Sequence, residues 1–245
     1  MIYKVQGRQL SYGESIGILL LENFTPFIPG DTANATTYSY PVRFERVDGL
    51  SVEKIFNHDM SMYDQLKKSA LRLQSEGVKA ITGDCGFMAL YQKRLMSELD
   101  MPIFLSSLIQ LHFILNIISP EGKVAIITAN KKSLIPELFE TLNITKEMQH
   151  RLHIEGLEDC PEFKESVIEE KGTLDSSLIE ECVVNSALKA IREDTKVKAI
   201  LLECSMLPPY AKQVAQATNL PVFDYITMID YVHDAIIKKS YSGHM

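Results

Sequence analysis

Two cysteines stand where the chain repeats itself. Val78-Lys79-Ala80-Ile81 precedes Cys85 at the same interval at which Val197-Lys198-Ala199-Ile200 precedes Cys204. The offset of 119 (204 − 85) holds further along, aligning Asp84 with Glu203, Tyr91 with Tyr210, Lys93 with Lys212 and Pro102 with Pro221. A thiol has an ordinary pKa of about 8.5, so both of its protonation states are accessible at neutral pH. Two thiols facing one small substrate can act as base on one face and acid on the other, which inverts a carbon centre without redox chemistry. The flanking acids, Asp84 and Glu203, can raise a neighbouring thiol's pKa. Equally, adjacent side chains tend to point to opposite faces, and each acid can make only a surface or turn contact. Cys160 and Cys182 have no such context and read as small packing residues.

The elements that must position this pair follow from periodicity. Strand-length apolar runs alternate with helix-period stretches, the pattern of parallel α/β units. Ile16 to Leu21 and Lys123 to Thr128 read as buried strands opening two halves. Val78 to Thr82 and Val197 to Leu202 are the strands before the cysteines, and Pro102 to Leu105 and Pro221 to Phe223 follow the next helices. Asp59 is placed to cap a helix running to Glu76, with Leu66, Ala70, Leu71 and Leu73 inward. Gly77 ends it. Leu108 to Ile118 reads as a buried helix, and Leu174 to Glu193 as a long one. A strand is expected near Arg151 to Ile154. The segment from Glu22 to Pro41, with Pro26, Pro29 and Pro41, is a long loop of the kind that often carries function. The expected fold is α/β, with two similar pseudo-twofold lobes, each a mainly parallel sheet flanked by helices. Residues 1–104 with 225–245 would form the first lobe and 105–224 the second.

Composition narrows the function classes. With 245 residues, 46% hydrophobic and 23% charged, the chain is an ordinary globular one. A net charge of −7 argues against nucleic-acid binding. No apolar window reaches a membrane span, and Met1 to Arg8 lacks a signal peptide's apolar core. Four cysteines in no zinc spacing point to a reducing cytoplasm rather than a disulfide scaffold. Gly13-x-x-x-Gly17 precedes its strand, so it is no dinucleotide fingerprint.

Each repeat cysteine falls just beyond a strand and before a helix, where open α/β sheets bind ligands. This duplicated pattern, from Gly13-Glu14-Ser15-Ile16-Gly17 to the final helix, resembles the aspartate/glutamate/hydantoin racemase superfamily. Cys204-Ser205-Met206-Leu207-Pro208-Pro209-Tyr210 is particularly similar to an uncharacterised racemase-like branch. The resemblance implies a cofactor-independent racemase or isomerase of a small carboxylate or imide, of the amino-acid or hydantoin class. Cys85 and Cys204 match the paired acid/base positions, with the substrate in the cleft between them. The chain departs from the amino-acid racemases in following its cysteines with Gly86-Phe87 and Ser205-Met206. Maleate-type cis–trans isomerisation or decarboxylation through one main cysteine is an alternative, as is a non-catalytic small-acid binder.

Further substrate-binding candidates sit at strand ends. They are Asn23, Asp31 and Asn34 in the first half, Thr128 and Asn130 in the second, and Gly86 and Ser205 beside the cysteines. Hydroxyl and amide groups suit a carboxylate or imide, although such residues also shape turns and caps. Tyr91 and Tyr210 read as a matched structural pair. His150 and His153 could pair on a helix, but no third ligand is evident, so no metal is expected. A small-molecule substrate is expected, with neither nucleic acid nor membrane as partner, and a homo-oligomer is possible.

Overall fold

The computed structural model describes residues 2–5 and 9–245. The opening stretch read for a targeting signal therefore lies partly outside the described residues. Two four-stranded parallel sheets form, with the same strand order in each. The first runs β2-β1-β3-β4, from β1 (Ile16–Glu22), β2 (Val42–Ser51), β3 (Ala80–Gly83) and β4 (Ile103–Phe104). The second runs β6-β5-β7-β8, from β5 (Lys123–Thr128), β6 (Leu152–Gly156), β7 (Val197–Leu202) and β8 (Val222–Phe223). β1 and β5 are central strands covered on both faces, which is why they read as unbroken apolar runs.

The helices are α1 (Val52–Phe56), α2 (Tyr63–Ser75), α3 (Ala89–Glu98), α4 (Leu111–Ile117) and α5 (Pro136–Thr141). They continue with α6 (Lys146–Gln149), α7 (Pro161–Phe163), α8 (Ser176–Glu193), α9 (Ala211–Thr218) and α10 (Tyr225–Ile236). α10 returns to the first sheet, where Tyr225, Met228 and Ile229 pack on Ile16, Ile18, Ala80 and Phe104. One continuous core joins the two sheets, with Leu19, Ile81 and Phe87 clustered with Leu134, Leu138, Ala199 and Leu201. No helix among the described residues is long and apolar enough to cross a membrane.

Several local expectations change. β2 has no clear sequence signal because it is an edge strand whose residues alternate polar and apolar, so half of it stays half-exposed. Asp59 does cap, but it accepts from Ser61 N–H at a 3-10 turn (Met60–Met62) that precedes α2. Leu71 is 43% exposed, because the buried stripe of α2 is set by Leu66, Ala70 and Leu73 and position 71 lies off it. α4 is not wholly buried either: Phe113 and Ile117 face outward. His150 ends α6 and His153 lies in β6, so they share no helix. His153 instead faces Glu155, 2.9 Å away.

The reading of Cys160 and Cys182 as separate packing residues is corrected, for they form a disulfide with Cα atoms 6.3 Å apart. Spacing did not reveal it because the 22-residue separation folds into α7, a π-helical turn (Lys164–Ile168) and the start of α8. In a reducing cytoplasm the pair would stand as two thiols.

Candidate active site

The site is assembled from the carboxyl ends of corresponding strands. β3 pairs with β1 in parallel, ending Leu19 opposite Gly83, and β7 pairs with β5 likewise, ending Ile127 opposite Leu202. The backbone then makes the same bond twice. Asp84 N–H donates to Leu19 C=O (3.1 Å), and Glu203 N–H donates to Ile127 C=O (2.8 Å). Cys85 and Cys204 follow at once, Cys85 extended ahead of a 3-10 turn and Cys204 in a bend. Both cysteines are free and line one small cavity of about 30 Å³.

The lobes are tied together around the thiols. Ser205 Oγ donates to the Asp84 carbonyl across the divide, and within residues 105–224 Ser107 Oγ donates to the Glu203 carbonyl (2.8 Å). The first-half loop docks on the second-half cysteine turn, since Thr32 N–H and Oγ1 both donate to Ser205 C=O (3.3 and 3.1 Å). Gly30, with φ +100°, lies against the Pro209 backbone, where a Cβ would come within 3.0 Å. A positive φ and that approach both favour glycine.

The cavity walls are apolar and aromatic: Phe27, Val52, Phe56, Phe87, Val167 and Met206. Phe56 and Phe87 meet edge to face, with centroids 5.2 Å apart. The ionisable groups lining the cavity are Asp84, Glu203 and the two thiols, with no Lys, Arg or His among its lining residues. Burial pushes the Asp84 carboxyl up to about 7, against the lowering effect of the Leu21 N–H it accepts. Burial likewise raises Glu203 to about 7, opposed by Thr128 Oγ1, which donates to Glu203 Oε2 at 2.8 Å. Both thiols are raised, first by burial and next by the charge of Glu203. Although part of each cysteine residue remains exposed, the walls around the sulfur decide its titration.

The named candidates divide. Asn23, Gly86 and Ser205 line the cavity with the cysteines. Thr128 is fully buried and reaches the cavity through Glu203. Asp31 is buried beside the site, its Oδ1 accepting from Ala33 N–H and its Oδ2 without a partner. Asn34 and Asn130 do not line the cavity. Each caps a 3-10 turn, accepting from Thr36 N–H and Lys132 N–H respectively. Tyr91 and Tyr210 are buried in the two cores. The aromatic walls were not foreseen. The repeat itself could have flagged Phe87, which the offset of 119 places on Met206, whereas Val52 and Phe56 carry no chemical signal. A larger cleft of about 580 Å³ is lined by Tyr3, Tyr12, Ser15 and Lys79. It lies at the opposite, amino ends of β1 and β3, away from the carboxyl ends where ligands of such sheets bind.

No family model matches the chain. The fold can be placed by a solved structure: allantoin racemase from Klebsiella pneumoniae superposes with a TM-score of 0.64 at 16% identity, over 94% of this chain and 97% of that one. The two-lobed α/β fold is thus shared with arylmalonate decarboxylase and with allantoin, glutamate and aspartate racemases. In sequence the chain is 33% identical over 229 residues to dimethylsulfoniopropionate lyase 5 of Emiliania huxleyi, covering 90% of this chain and 45% of that protein. It is 32% identical over 225 residues to a dimethylsulfoniopropionate lyase of Durusdinium sp. clade D, covering 89% and 73%. The chain belongs to the dimethylsulfoniopropionate lyase family. It spans about half the length of some of these relatives and about three quarters of another.

This relationship corrects the expectation of a racemase or isomerase. In this chain the two strand-end cysteines occupy corresponding places in the two halves.

Proposed function

We propose that this protein cleaves a carbon–sulfur bond by β-elimination from a small zwitterion, dimethylsulfoniopropionate or a close sulfonium carboxylate. A cysteine thiolate removes a proton from the carbon next to the carboxylate. The C–H electron pair becomes the new double bond, and the C–S pair leaves with dimethyl sulfide, so the products are acrylate, dimethyl sulfide and one proton. The step is redox-neutral and requires no redox cofactor.

The observation that supports this reading most is the charge and character of the cavity that holds Cys85 and Cys204. Three phenylalanines and two carboxylates, with no cationic side chain, suit a sulfonium cation, which aromatic faces attract. A cavity built for an amino-acid or other simple anion would be expected to present a cation. Asn23 Oδ1 accepts from Thr25 N–H, which leaves its amide N–H groups for the substrate carboxylate. Sulfide leaves without being protonated, so the elimination needs one base and no opposing acid. The division into residues 1–104 with 225–245, and 105–224, belongs to the same reading, with one cysteine from each lobe.

The test is to incubate the protein with dimethylsulfoniopropionate, following dimethyl sulfide in the headspace and acrylate by NMR. Cys85→Ser and Cys204→Ser should lower turnover unequally, the base variant by about 100-fold or more. Absence of acrylate from the wild type, or full activity in the double variant, would sink the proposal.

A further inference from the structure

Asp84 and Glu203 hold equivalent places in the repeat but differ by one methylene, and the structure uses that difference. Both turn toward the end of the opening strand of their own lobe. The shorter Asp84 is spent there, with both carboxylate oxygens 3.1 Å from Leu21 N–H. Glu203 makes the corresponding contact with one oxygen only, Oε2 to Thr128. Its Oε1 has no partner, although the residue is only 1% exposed. That oxygen extends from the second lobe to Gly86 in the first, where even a methyl group would overlap it. Gly86 directly follows Cys85, and Glu203 directly precedes Cys204.

A buried, unpartnered carboxylate oxygen is costly unless it serves a purpose. We infer that Glu203 is the proton acceptor of the cysteine base: it takes the thiol proton when substrate binds and gives it to water when products leave. This rests on the elimination reading and supplies what that reading lacks. The thiols are raised by burial, so each rests as S–H and cannot act as a base unaided. With a sulfonium in the cavity, S–H and COO⁻ become S⁻ and COOH beside a cation. The thiolate then takes the substrate proton and returns to S–H, and dimethyl sulfide leaves with its electron pair. Glu203, now COOH, loses its proton as the cavity opens, so one proton is released per turnover. In the proton exchange Glu203 acts through the cysteine.

Other groups face this carboxyl. Cys85 and Cys204 lie on the two cysteine turns, Asp84 on the first, Tyr225 at the start of α10, and Asp31 in the loop packed on Ser205. Asp31 and Glu203 each keep one unpartnered oxygen, but only Glu203 lines the cavity with the thiols, and its value near 7 places it to exchange a proton at neutral pH.

Glu203→Gln separates this role from simple electrostatics. Removing a negative charge makes the thiols more acidic, so alkylation by iodoacetamide at a fixed pH should be as fast or faster. Turnover should nevertheless fall by about 100-fold, and the acid limb of the wild-type kcat profile near pH 7, where protonated Glu203 can accept nothing, should vanish. Glu203→Asp keeps the charge but not the reach, and should lose turnover while melting close to the wild type. Unchanged turnover in the glutamine variant would overturn the inference. If the wild type proves inactive on the sulfonium substrate, the elimination reading fails while the proton exchange is still tested by alkylation. Its pH profile should then be biphasic in the wild type and single-step in Glu203→Gln, and a single step in both would overturn it.

Discussion

At the scale of single residues, the site is governed by what can fit between the thiols. Gly86 is required by the neighbouring carboxylate rather than by backbone conformation, since a side chain there would meet Glu203 Oε1. Gly86→Ala should therefore displace Glu203 at a cost of about 1–3 kcal/mol, read by chemical denaturation, and lower turnover more than tenfold. A neutral alanine variant would show that the carboxylate is free to move. The residue scale is also where sequence reading was strongest and most easily misdirected. Asp84, Cys85, Glu203 and Cys204 were all visible as a repeated pair, yet the same four residues fit both inversion and elimination. The difference lies in walls such as Phe27 and Phe56, whose spacing from the cysteines is unremarkable.

At the scale of elements, the wall segment around Val167 is the part held least by regular sheet packing. It is a π-helical turn, fixed at one side by Thr25 Oγ1 donating to Ser166 C=O (3.1 Å) and by Phe24 N–H donating to Glu170 Oε1 (2.8 Å). At the other side the Cys160–Cys182 disulfide anchors it to α8. A closed loop of this 22-residue separation contributes about 3 kcal/mol. Reduction, or Cys160→Ser, should lower Tm by roughly 6–10 °C, measured by thermal denaturation with and without reductant. An identical Tm in both conditions would mean that the bond contributes nothing to stability. Element-level reading failed here because irregular acidic sequence gives no period, and it missed β2 because an edge strand need not be apolar on either face.

At the scale of the whole molecule, duplication produces two sheets but not two independent units. The core cluster takes residues from both, and Thr32 and Ser205 bond across the divide. Residues 105–224 expressed alone should therefore show no cooperative unfolding transition by circular dichroism. A sharp transition with native-like stability would establish the second lobe as an autonomous domain.

The sequence by itself determined the α/β class, the duplication into two similar halves and the placement of Cys85 and Cys204 at corresponding strand ends. Those depend on local period and on a fixed offset along the chain. Only the tertiary structure decided which residues wall the cavity, that Cys160 meets Cys182, and that Glu203 reaches across to Gly86 while Asp84 folds back on Leu21. These are contacts between segments as much as 179 residues apart (206 − 27), set by how two lobes dock, and no periodicity along one chain encodes the distance between them.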